Sequence, residues 1–328
     1  MRDGALRSNV VSSQYFHAEH GGVVPELASR AHLTAILPIV REALGEAAVT
    51  VQELDAVAAT QGPGLIGSLL VGLNLGKALA VGLGIPFLPV NHIEAHLFST
   101  FLQDPHPSFP FLALAVSGGH TLLVRIDDVG AYTLLGGTID DAAGEAFDKV
   151  GKMLGLGFPG GPAIDRLAVE GNPDALAFPR PLLDSGDDRF SFSGLKTSVL
   201  YHLRGRARNG VLELHANEIA DICASFQRAV VDVLAGKLLR AAHREGIRDI
   251  AVVGGVSANR ELQLRLRHEA EQRGLRVFIP DLLLSTDNAA MVARLAALKL
   301  ERHAHGTLDA PAFARLGTTL FSTDNVGR

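Results

Sequence analysis

The sequence contains only one cysteine, Cys223, among its 328 residues. A single cysteine cannot form a disulfide within the chain, which excludes a disulfide-stabilised fold and favours a reducing compartment. Cys223 lies in a segment with apolar residues at helical spacing, which predicts a core position. The first residues, MRDGALRSNV, have no apolar core of the kind that a secretory signal needs. We therefore expect a cytoplasmic protein.

Charged residues are also scarce, at 20% of the chain, and the net charge is −5. This acidic balance argues against binding nucleic acid by bulk electrostatic attraction. Local basic patches remain open, although solvated helix and loop faces are the interpretation we favour for two arginine clusters: Arg204, Arg206 and Arg208, and Arg260, Arg265, Arg267 and Arg273. The hydrophobic fraction of 47% supplies a sizeable core, and this length predicts two lobes.

One apolar run, residues 64–85, is long enough to span a bilayer by the rule of about 20 residues. Asn74, Lys77 and six glycines interrupt it, which argues against a membrane helix. Gly72 and Gly76 would let the helix approach a neighbour closely. We therefore predict a buried helix of a soluble protein.

Strand patterns alternate with helix patterns along the chain, which predicts an α/β fold. The segment DPHPSFP, residues 104–110, carries three prolines and is the first candidate domain boundary. After it, two apolar strands flank a glycine turn and form a predicted hairpin. The last predicted helix begins in STDNAAM, with Ser285 or Thr286 as its N-cap.

The sequence has no GxGxxG at a strand–helix turn and no P-loop motif. It has instead three glycine pairs, each at a strand end or a helix start. Gly118-Gly119 joins two strands, Gly160-Gly161 precedes a helix at Pro162, and Gly254-Gly255 ends a strand and opens a helix near Asn259. Exposed backbone N–H groups and helix N-termini bind anions, so the three pairs together predict a phosphate-bearing ligand.

His92 and His96 lie four residues apart in VNHIEAHLFS, after a predicted strand and with Asn91 as a predicted N-cap. This spacing places both imidazoles on one helix face, which suits two bonds to one metal ion. The pattern is equally compatible with two buried histidines bonded to backbone carbonyls. It lacks HExxH, since Glu94 comes one position late, and this argues against a zinc peptidase.

A third metal ligand would be a carboxylate, and Asp287 is the best distant candidate. Two histidines and one carboxylate are typical of Fe(II) sites, although zinc accepts the same ligands. The alternative role for Asp287 is simple stabilisation of a helix N-terminus.

Four further residues carry a functional and a structural interpretation. Asp148 and Lys149 fit an exposed helix face with ordinary charge pairs, Asp165 fits either a ribose contact or a solvated acid, and Lys196 fits either a phosphate contact or a surface lysine.

Taken in order, the motifs NHIEAHLFS, VSGGHT, DDAAGEAFDKVGKMLGLGFPGGP, FSFSGLKTS, VVGGVSANREL and STDNAAM resemble the tRNA N6-adenosine threonylcarbamoyltransferase family in its bacterial branch, formerly described as O-sialoglycoprotein endopeptidase. VVSSQ, HGGVVPELASRAH and TQGPGLIGSLLVG fit as well, so the resemblance covers residues 9–320. We set aside the endopeptidase label for want of HExxH.

The resemblance implies an actin/Hsp70/sugar-kinase-like fold with two related lobes. We expect an N-terminal lobe at 1–107, a C-terminal lobe at 108–290, and a helical segment at 291–328 that returns to the first lobe. The implied reaction moves a threonylcarbamoyl group from threonylcarbamoyl-AMP to N6 of the adenosine 3′ of the anticodon, in tRNAs that read codons starting with A.

Site residues follow from the same resemblance. His92, His96 and Asp287 would hold one metal ion, usually assigned as iron. The family also implies a complex with a smaller paralogue and an ATPase subunit, and a separate synthase that makes the adenylate. The residues implied to bind the adenylate are Ala115, Val116, Ser117, Gly118, Gly119, Asp148, Gly161, Asp165 and Asn259.

The sequence departs from the family pattern at its start, where a phosphate-binding strand–turn–strand of about 25 residues is expected. The given chain begins just after that element, and the intact later motifs favour a start assigned too late over an impaired protein. A sugar or acetate kinase on the same fold would have no use for the histidine pair, and a non-catalytic scaffold would have lost the ligands and glycine turns.

Overall fold

The computed structural model describes residues 1–12, 24–206, 214–303 and 306–315. Helices and strands alternate through much of this part of the chain. The helices are α1 (Pro25–Ala47), α2 (Ile66–Leu83), α3 (His92–Leu97), α4 (Ala143–Met153), α5 (Gly160–Ala168), α6 (Ser193–Arg206), α7 (Ala216–Glu245), α8 (Arg260–Arg273), α9 (Leu282–Ser285) and α10 (Ala289–Glu301). The strands are β1 (Val57–Gly62), β2 (Phe87–Asn91), β3 (Phe111–Val116), β4 (Thr121–Asp128), β5 (Ala131–Gly137), β6 (Asp249–Val253) and β7 (Arg276–Phe278).

The chain divides into two compact units, which we call unit 1 (Met1–His106 with Thr286–Arg328) and unit 2 (Pro107–Ser285). In unit 1, β1 and β2 form a parallel pair with Val57 opposite Phe87. A small apolar cluster of Leu73, Ala80 and Phe87 packs α2 onto this pair. The predicted return of segment 291–328 to the first lobe stays a prediction.

In unit 2 a five-stranded sheet has the order β5-β4-β3-β6-β7. β3 pairs antiparallel with β4 and parallel with β6, so the carboxyl ends of β3 and β6 lie side by side. All residues of FLALAV in β3 and of DIAVV in β6 are buried. Their continuous apolar runs follow from this central position, because both faces of these strands are covered.

Helix α7 supplies much of the core of unit 2. Phe226 and Cys223 on α7 pack in one cluster with Phe147 of α4 and Leu114 of β3. Burial raises the pKa of the Cys223 thiol to about 12, so the residue remains an uncharged core side chain at neutral pH.

Helix α2 is less buried than its sequence predicts. Of its 18 residues, the buried ones are Leu73, Gly76 and Ala80, because α2 packs on β1 and on α1 and leaves its remaining surface exposed. Its mean hydropathy of 1.6 and its length alone would allow it to cross a membrane, a test that core helices of soluble proteins also pass. Lys77 donates a hydrogen bond of 2.7 Å to the Ala310 carbonyl, so its ammonium lies against protein.

Three helix starts or ends differ from the expectation. The helix predicted to carry His92 and His96 ends at Leu97, and a separate 3-10 turn, Ser99–Leu102, follows it. Helix α5 begins at Gly160, before Pro162, with Pro159 as N-cap. The N-cap of α10 is Asn288, whose side chain accepts from the Met291 N–H, whereas Ser285 ends the separate short helix α9.

The arginine clusters are exposed and partly paired where they are described. Arg265 and Arg273 on α8 both bond to Glu269, at 3.1 and 2.8 Å. Arg206 pairs with Glu218, and Arg208 lies outside the described residues.

Candidate functional site

Within unit 1, one carboxylate lies against both histidines of the HxxxH pair. His96 Nε2 is 3.0 Å from Asp287 Oδ1, and His92 Nε2 is 3.4 Å from the same oxygen. Local structure places the histidines, because the Asn91 side chain accepts from the N–H groups of Ile93 and Glu94 and starts α3 at His92. The structure thus brings together three residues that the sequence separates by 191 positions.

The three side chains have the geometry of a metal site. Their ligand atoms lie within 4.8 Å of one another. Two ligands about 2.1 Å from one ion are about 3.0 Å apart at a right angle and about 3.4 Å apart at the tetrahedral angle, which matches both histidine–carboxylate distances. Two imidazoles and a carboxylate are also a donor set that divalent iron and zinc accept.

The contacts argue against one alternative interpretation of Asp287 and one of His96. Helix α10 is capped by Asn288, so Asp287 is not needed as an N-cap. His96 is almost completely buried, and its Nδ1 has no hydrogen-bond partner among the described residues, so it is not a core histidine bonded to carbonyls through both nitrogens. The side chain of Asp287 is 78% exposed, so its carboxylate lies at the surface of unit 1.

In unit 2 the glycine turns lie next to one another at the carboxyl ends of β3 and β6. Gly254 follows β6 with φ of 88°, and a β-carbon there would lie 2.5 Å from the Val116 carbonyl oxygen. A β-carbon at Gly144, in the first turn of α4, would lie 2.5 Å from the Ser117 carbonyl oxygen. Only glycine allows these close approaches, so the two positions fix how the turns meet.

The turn after β3 is closed by Ser117 and His120. The Ser117 N–H donates to the His120 carbonyl at 2.8 Å, and the His120 N–H donates back to Ser117 Oγ at 3.2 Å. Gly118 and Gly119 form the exposed tip, whereas Ala115 and Val116 are buried in β3. Of the predicted stretch, the tip is thus the part whose backbone can reach a ligand.

Asp148 joins α4 to the start of α5. Its Oδ1 accepts the Gly160 N–H at 2.8 Å, and the two helices touch where Gly160 meets Phe147 and Gly151. Burial raises the pKa of the Asp148 carboxyl, against hydrogen bonds from Gly160 and Gly161 that lower it. The exposed-face interpretation is therefore wrong for Asp148. It holds for Lys149, which pairs with Asp141 and Glu145.

Asp165 and Asn259 form the second polar part of unit 2. Asp165 Oδ1 accepts from Asn259 Nδ2 at 3.1 Å and from the Arg260 N–H at 3.2 Å. Asn259 Oδ1 accepts the Leu262 N–H and caps α8. Burial raises the pKa of Asp165, and the charge of Glu261 acts in the same direction. Asp165 is therefore a half-buried acid with fixed partners.

Three residues of this network, Gln227, Arg228 and Glu261, were not singled out from the sequence. Gln227 on α7 accepts from Asn259 Nδ2 at 2.7 Å and donates to Glu261 Oε2 at 3.2 Å, and Arg228 pairs with the other oxygen of Glu261. A cleft of about 250 Å³ borders them, with a lining that includes Gln227, Arg260, Glu261, Ala168, Val169 and Pro173. No local motif marks Gln227, because its partners lie on other elements.

Asp140 and Asp141 anchor the FSFSGLK segment. Asp140 accepts from Phe192 N–H at 2.8 Å and from the hydroxyl and N–H of Ser193. Asp141 binds Lys196 at 2.7 Å and Lys149 at 2.9 Å, one with each oxygen. Lys196 is thus paired with a carboxylate, which is neither of the two roles expected for it.

A sequence model of the family tRNA N6-adenosine threonylcarbamoyltransferase matches residues 5–294. The chain belongs to this family. The family membership confirms the resemblance, the transferase class and the modification of tRNA that the motifs predicted.

Three relatives that carry the family name match this chain over most of their length. The tRNA N6-adenosine threonylcarbamoyltransferase of Ralstonia pickettii is 52% identical over 302 residues, covering 90% of this chain and 85% of the relative. That of Salinibacter ruber is 53% identical over 299 residues, covering 91% of this chain and 89% of the relative. That of Chloroherpeton thalassium is 50% identical over 331 residues, covering 96% and 92%.

Solved structures support the fold. The chain resembles the HypF protein of T. kodakarensis, with a TM-score of 0.59 and 18% identity over 82% of this chain and 44% of that one. The chain also resembles a full-length HypF in a phosphate- and nucleotide-bound form, with a TM-score of 0.58 and 14% identity. That match covers 83% of this chain and 42% of the other. At these identities the likeness concerns the fold alone. With the family membership, it confirms the α/β, actin/Hsp70/sugar-kinase-like fold expected from the sequence.

Proposed function

We propose that the chain transfers the threonylcarbamoyl group of threonylcarbamoyl-AMP to N6 of the adenosine 3′ of the anticodon, in tRNAs that read codons starting with A. In this reaction the N6 amine attacks the carbamoyl carbon, a C–N bond forms, the C–O bond to the phosphate breaks, and AMP leaves. The amine loses one proton. The observation that carries the proposal is the convergence of the glycine turns with Asp148, Asp165 and Asn259 in a chain of this family.

The adenylate is bound by unit 2 in this proposal. The exposed Gly118-Gly119 tip and the start of α5 at Gly161 offer backbone N–H groups to phosphate oxygens, helped by the helix dipole. Asp165 accepts hydrogen bonds from ribose hydroxyls, and Asn259 and Asp148 complete the contacts. The cleft beside Gln227 gives the rest of the nucleotide a partly apolar surface.

His92, His96 and Asp287 hold one divalent cation, Fe²⁺ in the first instance and zinc as the alternative. The matching ligand distances support this assignment. When bound, such a cation supplies Lewis-acid binding of an anionic oxygen. The protein residues supply two neutral imidazoles and one negative charge, which leaves a net positive centre for an anionic ligand.

The tRNA acceptor is reachable because the anticodon loop is single-stranded. An acidic chain of net charge −5 suits a complex that shares tRNA binding with other subunits, namely a smaller paralogue and an ATPase subunit. These partners, like the cytoplasmic location, belong to the proposal.

The test is transfer of radiolabelled threonylcarbamoyl from the adenylate to tRNA, with purified synthase and partner proteins. Label should enter a tRNA that reads codons starting with A. It should not enter a tRNA that lacks adenosine at the position 3′ of the anticodon. Asp165→Ala should lose most of the transfer, whereas Lys152→Ala, an exposed change on α4, should retain it. Equal labelling of both tRNAs, or full activity of Asp165→Ala, would contradict the proposal.

A further inference from the structure

Helix α3, which carries both histidines, is held by α10 through a partly buried ion pair. Lys299 Nζ lies 2.6 Å from Glu94 Oε2, and the side chain of Glu94 is 4% exposed while that of Lys299 is 22% exposed. Glu94 lies between His92 and His96 in the sequence, and no motif explains why an acid is buried there.

The ion pair and the histidines lie on different sides of α3. Residues turn by about 100° each in an α-helix, so His92 and His96 are about 40° apart around the axis, whereas Glu94 is about 200° from His92. Two parts of the segment that includes α10 therefore contact different sides of α3. Asp287, just before α10, meets the histidine side, and Lys299, in the last turn of α10, meets the opposite side.

These two contacts are far apart along α10. From Ala289 to Lys299 the helix rises about 15 Å. The side chain of Asp287 is largely exposed, so its position depends strongly on the backbone at the start of α10. That backbone is fixed locally by Asn288, which accepts from Met291 N–H and donates to the Thr286 carbonyl. The place of Asp287 relative to α3 therefore depends on how α10 is seated.

Apolar packing and the Asn91 cap already restrain α3, since Ile93, Ala95 and Leu97 are buried. Apolar contacts are individually weak and non-directional, so a directional contact adds a separate restraint on the rotation of the helix about its axis. A charged hydrogen bond is directional and short, so it resists that rotation. A roll of α3 would move both imidazole Nε2 atoms away from Asp287 together.

We propose that Glu94 and Lys299 are positioning residues of the metal centre: their ion pair fixes the roll of α3 against α10 and so holds His92, His96 and Asp287 at ligand distance. This inference rests on the proposed metal site. Neither residue touches the ion. Partners that hydrogen-bond metal ligands commonly change metal affinity by about 10–100-fold when they are removed, and we expect a restraint on the helix that carries the ligands to act in the same range.

Cobalt(II) is the probe for the test, because its visible absorption reports ligand number and geometry. The full chain, stripped of metal, is titrated with Co²⁺ as unsubstituted protein and as Lys299→Met, Glu94→Gln, the double variant and Lys299→Arg. Lys77→Met is the matched control, since Lys77 is also a paired lysine of unit 1 but bonds to Ala310. Thermal unfolding of each protein without metal measures any general loss of stability.

We expect Lys299→Met and Glu94→Gln each to weaken Co²⁺ binding by about 10–100-fold and to shift its absorption bands. The double variant should lose less than the product of the two single effects, because both remove the same contact. Lys299→Arg should restore affinity to within about threefold, and Lys77→Met should bind as the unsubstituted chain does.

Two results would overturn the inference, and they differ. If the two single variants lower the unfolding temperature while the affinity and spectrum of Co²⁺ stay unchanged, the ion pair is structural only. If the unsubstituted chain binds no Co²⁺, the metal centre itself fails, and the positioning role fails with it. Variants too unstable to purify are replaced by the double variant, which leaves no buried charge unpaired.

Discussion

The side-chain amide of Asn259 donates a hydrogen bond to Asp165 Oδ1 across 3.1 Å, and the same amide reaches Gln227 Oε1 at 2.7 Å. Since Asn259 Oδ1 is occupied by the N-terminus of α8, the orientation of the amide is fixed. Asp165 is thereby held half-buried beside the cleft with its charge only partly compensated. This arrangement is typical of sites that give up stability for binding.

Replacing Asp148 with asparagine should stabilise the folded chain and weaken its binding of the adenylate. Burial raises the pKa of Asp148 in the folded state, so ionisation opposes folding. The destabilisation by the ionised carboxylate is absent below the pKa of Asp148 in the unfolded chain, and it grows as the pH rises through the pKa in the folded chain. Asp148→Asn keeps an acceptor for Gly160 and removes that charge. We expect a melting temperature higher by roughly 1–3 °C at pH 7 and unchanged near pH 3.

Scanning calorimetry at the two pH values measures this difference, and equilibrium binding of a non-hydrolysable adenylate analogue measures affinity. A melting temperature that falls at pH 7, or rises equally at both pH values, would show that the carboxylate is not strained by burial.

The contact between α4 and the Ser117 turn predicts opposite effects for two glycine substitutions. Gly144→Ala would place a β-carbon 2.5 Å from the Ser117 carbonyl, so a backbone has to move. We expect a loss of about 1–3 kcal/mol in unfolding free energy. Gly205→Ala, in α6, has nothing within 4 Å and should stabilise by up to about 1 kcal/mol. Urea unfolding compares the two, and equal effects would contradict the close approach.

Asp140 should act as a remote cap of α6. It accepts from the N–H groups of Phe192 and Ser193, which open that helix. Burial alone would raise the pKa of Asp140, but hydrogen bonds from Ser191, Phe192 and Ser193 hold this pKa below the usual range of an aspartate. Its contribution is therefore present above the unfolded pKa and lost as pH falls through the folded pKa.

We expect Asp140→Ala to cost about 1–2 kcal/mol at pH 7, as other caps do, and less at pH 2. Urea unfolding at both pH values provides the measurement. Asp184→Ala, a substitution of an exposed acid in the same unit, is the control and should change stability little. The cap is refuted if the two variants behave alike.

Removal of one imidazole should abolish tight metal binding. The unsubstituted chain should retain about one ion per chain after dialysis, and His96→Ala should retain much less, because two ligands remain of three. His106→Ala is the control, since His106 stacks on Phe101 and belongs to no ligand cluster described here. Elemental analysis of dialysed protein decides, and equal metal content in His96→Ala and the unsubstituted chain would exclude the site.

Local signals in the sequence were enough for several elements. Asn91 caps its helix as predicted, and a helix opens at Asn259 where the sequence placed one, because a helix start depends on the next few residues. The apolar runs FLALAV in β3 and IAVV in β6 identify the centre of the sheet in unit 2, since continuous apolar runs are typical of strands covered on both faces.

Other features needed the packed structure. The composition of α2 predicts a buried helix, yet only the sides that pack on β1 and α1 are covered, because exposure depends on what packs against the helix. Ser285 and Thr286 are good N-caps by type, but Asn288 caps α10 and Ser285 closes α9 by bonding to the Pro280 carbonyl. Gln227 carries no motif, and only the meeting of α7 and α8 gives it a role.

The sequence by itself determined the family, the α/β class, and the residue types of both candidate sites, since ordered motifs and helical spacing are properties of the chain. Only the tertiary structure decided that Asp287 meets His92 and His96, that Asp148 receives the start of α5, and that Glu94 pairs with Lys299. Each of these contacts joins separate elements, and their distances are set by packing, which no local pattern specifies.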